Sequence, residues 1–203
     1  MKAPLVLGSA SPRRADLLRQ IGLDFVQVVS PEEEPPIEGG DPREHVLHSA
    51  AAKAAAVRRH VAATRPELRG APVLGADTVV VLGDTMLGKP DGPGGAASML
   101  RRLSGRGHSV CTGLALFLPG DEGAAPVREC VETRVRFGRL TEGDIAAYVA
   151  GGEPLDKAGA YGIQGGGARF IEHIEGCYYN VVGLPLFRLC RILGQAGFDL
   201  NAP

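Results

Sequence analysis

A short run near the start of the chain combines residues able to hold a multiply charged anion. In Leu7-Gly8-Ser9-Ala10-Ser11-Pro12-Arg13-Arg14, an apolar run stops at a glycine and is followed by two serines, a proline and two arginines. The pattern predicts strand, tight turn and helix, with Ser11 as N-cap and Pro12 at the first helical position. A helix start offers backbone N–H groups and the positive end of the dipole. A guanidinium matches phosphate oxygens as a two-pronged donor. An ordinary capped helix with two solvated arginines would carry the same residues, so the run alone leaves both readings open.

Asp77 is the second chemical signal. It interrupts Val73-Leu74-Gly75-Ala76-Asp77-Thr78-Val79-Val80-Val81-Leu82, otherwise an apolar strand. A buried carboxylate needs a cation, hydrogen-bond donors or a strand-end location. Two lysines occupy constrained settings: Lys53 within an alanine run and Lys89 between Gly88 and Pro90. Lys53 either reaches inward past its small neighbours or is solvated. Glu32, Glu33 and Glu34 sit in a proline-rich loop, read either as a solvated acidic loop or as a metal or proton site facing the arginines. From Glu153 to Gly167 the chain mixes Asp156, Lys157 and Gln164 with five glycines. Such a segment allows close approach of backbone to a ligand, and the Gln164 amide can both donate and accept.

The elements that must position these groups follow from periodicity and punctuation. The first helix ends at Gly22, and a strand is expected over 24–29. A helix opens at Asp41-Pro42 and runs to about Ala63, with Val46, Leu47, Ala50, Ala54, Val57 and Val61 as its apolar stripe. Gly83-Asp84 marks a hairpin turn. A short helix is expected over 96–103, then an antiparallel strand pair over 108–118 and 127–137. Thr141 caps a helix over 142–150. Strand character returns at 168–174 and 178–182, and a C-terminal helix starts at Leu184-Pro185 with Leu186, Leu189, Cys190 and Leu193 on one face.

Composition bounds what this arrangement can serve. The 203 residues are 44% hydrophobic, enough for a sizeable core, and are expected to form one domain over 1–203. A formal net charge of -1 without a basic block argues against a stable nucleic-acid complex. The short N-terminal apolar run lacks the length of a signal sequence, and no run approaches a membrane span. Four separated cysteines form no Cys-x-x-Cys pair, so reduced thiols and a cytoplasmic location are expected. Walker A and Gly-x-Ser-x-Gly signatures are absent. Cations for phosphate oxygens and carboxylates for a divalent metal or for activating water suit phosphoryl chemistry on a nucleotide.

The chain resembles the Maf family of nucleoside triphosphate pyrophosphatases, also called septum-formation inhibitor proteins. The likeness covers nearly the full length and rests on motifs in one order. They are residues 7–14, Gly75-Ala76-Asp77-Thr78, Gly88-Lys89-Pro90, Leu103-Ser104-Gly105-Arg106 with His108, Thr112-Gly113, residues 153–165 and Asn180-Val181-Val182-Gly183-Leu184-Pro185-Leu186. The resemblance implies an α/β fold, a mixed twisted sheet in two lobes with a central cleft, similar to inosine triphosphate pyrophosphatases. It implies hydrolysis between the α and β phosphates to a nucleoside monophosphate and pyrophosphate, with magnesium or manganese as cofactor, and is consistent with a homodimer. By position, Asp77 matches the active-site acid and Glu34 the loop glutamate, both as metal ligands or base. Lys53, Lys89 and Arg14 match phosphate-contacting cations and Ser9 a phosphate-side hydroxyl, while Asp156 and Lys157 fall among the substrate contacts. Arg13, Thr78 and Gln164 match the residues that set base choice in the branch preferring dTTP and UTP. Pro35 departs from the pattern and stiffens the loop presenting Glu34, so Glu32 or Glu33 could share its role. A non-enzymatic, nucleotide- or nucleic-acid-binding regulator of septum formation is the competing reading, and purine-specific hydrolysis of ITP is a third.

Overall fold

The computed structural model describes residues 4–30, 37, 39–119 and 123–198. Its centre is a mixed sheet in the order β2-β1-β3-β5-β6-β7, with β4 paired to β3. The strands are β1 (Leu5–Gly8), β2 (Phe25–Gln27), β3 (Val73–Leu82), β4 (Thr85–Leu87), β5 (Gly107–Phe117), β6 (Val127–Phe137) and β7 (Ile171–Glu175). β1 runs parallel to β2 and β3, and every other pairing is antiparallel. The helices are α1 (Pro12–Gln20), α2 (Pro42–Thr64), α3 (Gly92–Leu103), α4 (Glu142–Ala150), α5 (Tyr178–Val182) and α6 (Leu186–Gln195). The expected mixed α/β architecture is therefore present.

Alternation along β3 sorts its side chains between two faces. Val73 packs in a cluster with Ala50, Ala54, Val57 and Val61 of α2, while Val79 meets Val46. On the opposite face, Leu74 and Ala76 join Leu17, Leu18, Leu189 and Leu193 from α1 and α6. Val80 and Leu82 instead join Leu100, Leu103, Ile145 and Phe137 with α3 and α4. This second face thus carries two separate apolar clusters, and Thr78 lies between them in the strand sequence. They are the counterpart of the two expected lobes.

Two glycines seat α2 against the sheet. A Cβ on Gly75 would lie within van der Waals radii of the Ala50 carbonyl oxygen, and one on Gly113 would overlap the Val46 carbonyl. Gly113 pairs directly with Asp77 across β3 and β5. Only a missing side chain lets the helix backbone come this close.

Several local expectations are corrected. Residues 178–182 form α5 rather than a strand, despite their Tyr-Tyr and Val-Val content. The Cys177 N–H donates to Thr133 Oγ1 and the Thr133 hydroxyl donates to the Cys177 carbonyl, at 3.0 and 3.1 Å, so tertiary bonds fix the start of this turn. Residues 166–170 are a 3-10 turn, and the strand begins only at Ile171. α3 starts at Gly92, earlier than expected, because Pro93 favours a first helical turn. Leu47 and Cys190 are only half-buried, whereas Ser49 and Ile192 are buried. Ser11 stands at the N-cap but makes no side-chain capping bond; Ser9 Oγ instead accepts from the Ser11 N–H at 3.2 Å. Cys111, Cys130, Cys177 and Cys190 are free thiols. Among the described residues no helix is long and apolar enough to cross a membrane.

His108 is buried on β5, where its Nε2 meets the Tyr161 hydroxyl at 2.8 Å and its ring stands edge-on to Phe137. Burial pushes its pKa down to about 4. In the unfolded chain a histidine titrates near 6.5. As pH falls from about 6.5 to about 4, the unfolded chain takes up a proton that the folded protein refuses. Stability therefore falls across that window by about 3 kcal/mol and levels off below it. Denaturant titrations at a series of pH values should show this acid slope in the parent and a shallower one in H108Q. Gly113→Ala should lower the denaturation midpoint by about 1–3 kcal/mol of stability, since the added methyl meets backbone atoms.

Candidate phosphate-binding cleft

The edge of β3 is covered by β1 only as far as Gly75, and β4 takes over at Val80. Between these points, residues 76–79 have no strand partner on that side among the described residues. A cleft of about 620 Å³ opens there, within the range of small-molecule sites. The gap explains how Asp77 and Thr78, which point to opposite faces of the sheet, both line one cavity. It lies at the C-terminal end of β1, where the chain turns into α1. Parallel strands of α/β proteins commonly present ligands at this kind of location.

Asp77 is met from α2. Lys53 Nζ lies 2.6 Å from Asp77 Oδ1, and His45 Nε2 lies 3.9 Å from Oδ2. All three side chains are largely enclosed, with 11–14% of their surface exposed. Lys53 therefore reaches inward. His45, Ser49 and Lys53 are four residues apart, so they form one polar row on the α2 face that lines the cleft. Sequence reading gave His45 and Ser49 no role; the signal was that same spacing within a helix otherwise read for its apolar stripe.

On the other side, α1 opens into the cleft, with Ser9, Ser11, Pro12, Arg13 and Arg14 in its wall. Arg14 is a structural clamp. Its Nε donates to the Gly183 carbonyl at 2.8 Å, and its Nη1 donates to the Ala76 carbonyl at 2.9 Å and to Ser9 Oγ at 3.2 Å. Its Nη2 donates to Thr78 Oγ1 at 3.1 Å. One guanidinium thus joins the β1–α1 turn, the open edge of β3 and the end of α5. Any contact it makes to a phosphate comes in addition to these bonds. Arg13 reaches across to Asp156, with Nη1 3.1 Å from Oδ2. Asp156 also meets Lys157 at 2.7 Å. Burial pushes the Asp156 pKa up, but Lys157 and Arg13 outweigh it and hold the carboxyl below its usual range.

The glycine-rich segment is anchored by Glu153, another residue whose task sequence reading left unassigned. Its carboxylate accepts from the Tyr148 hydroxyl at 2.7 Å and the Gly166 N–H at 2.8 Å. Burial raises the Glu153 pKa, yet these donors together with the Gly167 N–H more than offset it, so the group is held ionised. The Glu153 carbonyl accepts from Lys157 Nζ at 2.6 Å. Gln164, on the anchored segment, lies exposed at the cleft rim, and Lys89 lines the cleft next to Gly88. Gly159 and Ala160 both take positive φ, and the Gly159 N–H donates to the Gly88 carbonyl at 3.0 Å, tying the two segments together.

The cleft therefore brings together Ser9, Arg13, Arg14, Lys53, Asp77, Thr78, Lys89, Asp156, Lys157 and Gln164. Glu34, with Glu32, Glu33 and Pro35, lies outside the described residues. Among the described residues no group of three or more His, Cys, Asp or Glu side chains could alone hold a metal ion. Asp77 Oδ2, with Oδ1 engaged by Lys53, fits the mode in which one or two carboxylates and substrate phosphates share a hard divalent cation.

A helix start, lysines from three segments and a strand-borne carboxylate surround one opening in the α/β sheet, a set of charges suited to a phosphorylated ligand. Residues 4–196 match the Maf-like protein family, and the chain belongs to that family. It is 48% identical over 196 residues to a protein of Symbiobacterium thermophilum named dTTP/UTP pyrophosphatase, covering 97% of this chain and 95% of the relative. A protein of the same name from Moorella thermoacetica is 49% identical over 198 residues, covering 97% and 96%. Among solved structures, a HAM1 protein from Coxiella burnetii overlaps with a TM-score of 0.41 at 17% identity, over 69% of this chain and 75% of the other.

The clamp on Arg14 has a measurable consequence. Arg14→Lys retains the charge but cannot span Gly183, Ala76, Ser9 and Thr78, because an ammonium is a compact donor on a flexible stem. It should cost about 1–3 kcal/mol in a denaturant titration.

Proposed function

We propose that this protein hydrolyses nucleoside triphosphates at the α–β anhydride, releasing a nucleoside monophosphate and pyrophosphate, with dTTP and UTP as preferred substrates. The observation that carries the reading is the Lys53–Asp77 pair at the open edge of β3, facing Arg13 and the start of α1 across a cleft of nucleotide size. The names of relatives that match the chain almost end to end support the same substrate class.

In this reading the triphosphate lies between the α1 start and the lysines. Backbone N–H groups, Ser9 and Lys89 neutralise its oxygens. Lys53 fixes one oxygen of Asp77 and leaves the other turned to the substrate, where it receives the proton of the attacking water. Water adds across the α–β bond, and pyrophosphate departs with its charge matched by lysine. A divalent cation held by Asp77 and Glu34 would supply further charge neutralisation when bound. Arg13 and Lys157, joined through Asp156, close the rim. Gln164, held by the Glu153 anchor, offers an amide to the base; an amide can match the acceptor and donor edge of uracil or thymine. Sanitation of the nucleotide pool is the physiological role this chemistry suits, and a link to septum formation would rest on it.

Asp77→Asn should cut turnover of UTP at least about a hundredfold while calorimetry still registers nucleotide binding. In the parent, pyrophosphate release should be led by dTTP and UTP over CTP, GTP, ITP and 7-methyl-GTP. Turnover led by ITP would favour a purine enzyme. Binding without turnover of any triphosphate would favour the regulator reading.

A further inference from the structure

Thr78 lines the cleft, but its hydroxyl belongs to a chain of hydrogen bonds that runs into the interior. Arg14 Nη2 donates to Thr78 Oγ1 at 3.1 Å, and Thr78 Oγ1 lies 2.9 Å from Thr112 Oγ1, its cross-strand partner on β5. Thr112 Oγ1 lies 3.1 Å from the Asn180 carbonyl oxygen. Thr112 and Asn180 are both completely buried. The Asn180 side chain is itself fixed, its amide donating to the Val110 carbonyl at 2.9 Å and to Thr133 Oγ1 at 3.0 Å.

Proton counting sets the direction of this chain. A carbonyl oxygen only accepts, so the single hydroxyl proton of Thr112 goes to Asn180. Thr112 can then only accept from Thr78, so the single proton of Thr78 points inward to Thr112. The guanidinium of Arg14 only donates and takes up one lone pair of Thr78. What remains of the Thr78 hydroxyl for the cleft is a lone pair.

We infer that Thr112, which has no access to the cleft, is a positioning residue that makes Thr78 a pure acceptor, so that this point of the site takes a ligand group bearing N–H or O–H and rejects one bearing only a lone pair. The inference rests on the proposed nucleotide site and deepens it. Within that site the donor is the imide N–H of uracil or thymine, which cytosine lacks. Opposed lone pairs at this position weaken a cytosine nucleotide relative to its uracil counterpart, since a buried polar group left unmatched loses its hydrogen bond and its solvation together.

Thr112→Val keeps the shape and removes the hydroxyl. The Asn180 carbonyl retains a partner, because it also accepts from the Gly183 N–H at 3.0 Å. Thr78 loses its inward acceptor, its proton can turn toward the cleft, and the hydroxyl can then donate. The experiment compares kcat and KM for UTP, CTP and 3′-deoxy-UTP in the parent, T112V and T112S, with thermal unfolding as the check on folding. The expected result is a fall of about five- to tenfold in the UTP over CTP ratio of kcat/KM in T112V, carried by KM. T112S, which restores the hydroxyl, should return the parent ratio. An unchanged ratio in folded T112V, or T112S behaving like T112V, overturns the inference. A T112V effect that is equal for UTP and CTP and disappears with 3′-deoxy-UTP overturns the assignment to the base and places the donor on the sugar. A neutron structure of the parent reads the polarity without any turnover: deuterium on Thr78 Oγ1 aimed at Thr112 is expected, and deuterium aimed into the cleft overturns it. Failure of the proposed function has a separate signature, namely a parent that turns over no triphosphate.

Discussion

The close seating of α2 on the sheet is the constraint from which the rest of the site follows. Gly75 and Gly113 leave two flat places on neighbouring strands, and the helix backbone at Ala50 and Val46 settles into them. Larger residues there would lift the helix away and withdraw Lys53 from Asp77. The alanines around Lys53 act on the same interface, because small side chains keep the separation short. The lysine can then lie along the packed surface and end on the carboxylate. A charge pair this enclosed is costly to desolvate, so close geometry must offset the loss of water. The contact of 2.6 Å meets that requirement.

Around this pair the sheet is interrupted rather than continuous. β1 stops at Gly8, opposite Gly75, and β4 ends at Leu87, opposite Val80. The chain leaving β1 turns into α1, whose Arg14 binds the Ala76 carbonyl and so takes over part of the pairing that a strand would supply. One carbonyl of the open edge is thereby satisfied without a covering strand. One guanidinium also donates to Thr78 and ties down Gly183, where α5 ends in a left-handed residue.

Much of this was legible in the sequence. The Asp77 strand, the 127–137 strand and the 142–150 helix are found at their expected limits, because period and capping agree there. The chemical meaning of Asp77 was also accessible, since a carboxylate in an apolar strand demands a partner. Which partner it has was not: Lys53 lies 24 residues away on a helix, and nothing local distinguishes an inward lysine from a solvated one. The strand reading at 178–182 failed because β-branched and aromatic residues state a preference that tertiary bonds can override. There, Asn180 and the backbone of Cys177 are held by Thr133, and the segment coils. The clamping task of Arg14 was invisible for a related reason. Its partners come from three segments, and side-chain type alone cannot tell a wall residue from a ligand contact.

In the proposed reaction water is added between the α and β phosphates. The most direct measurement follows UTP by phosphorus NMR in the presence of the protein and magnesium. Resonances of UMP and pyrophosphate should grow together as the three UTP signals fade. Growth of UDP and inorganic phosphate would contradict that reaction, because the bond broken would then be the β–γ anhydride.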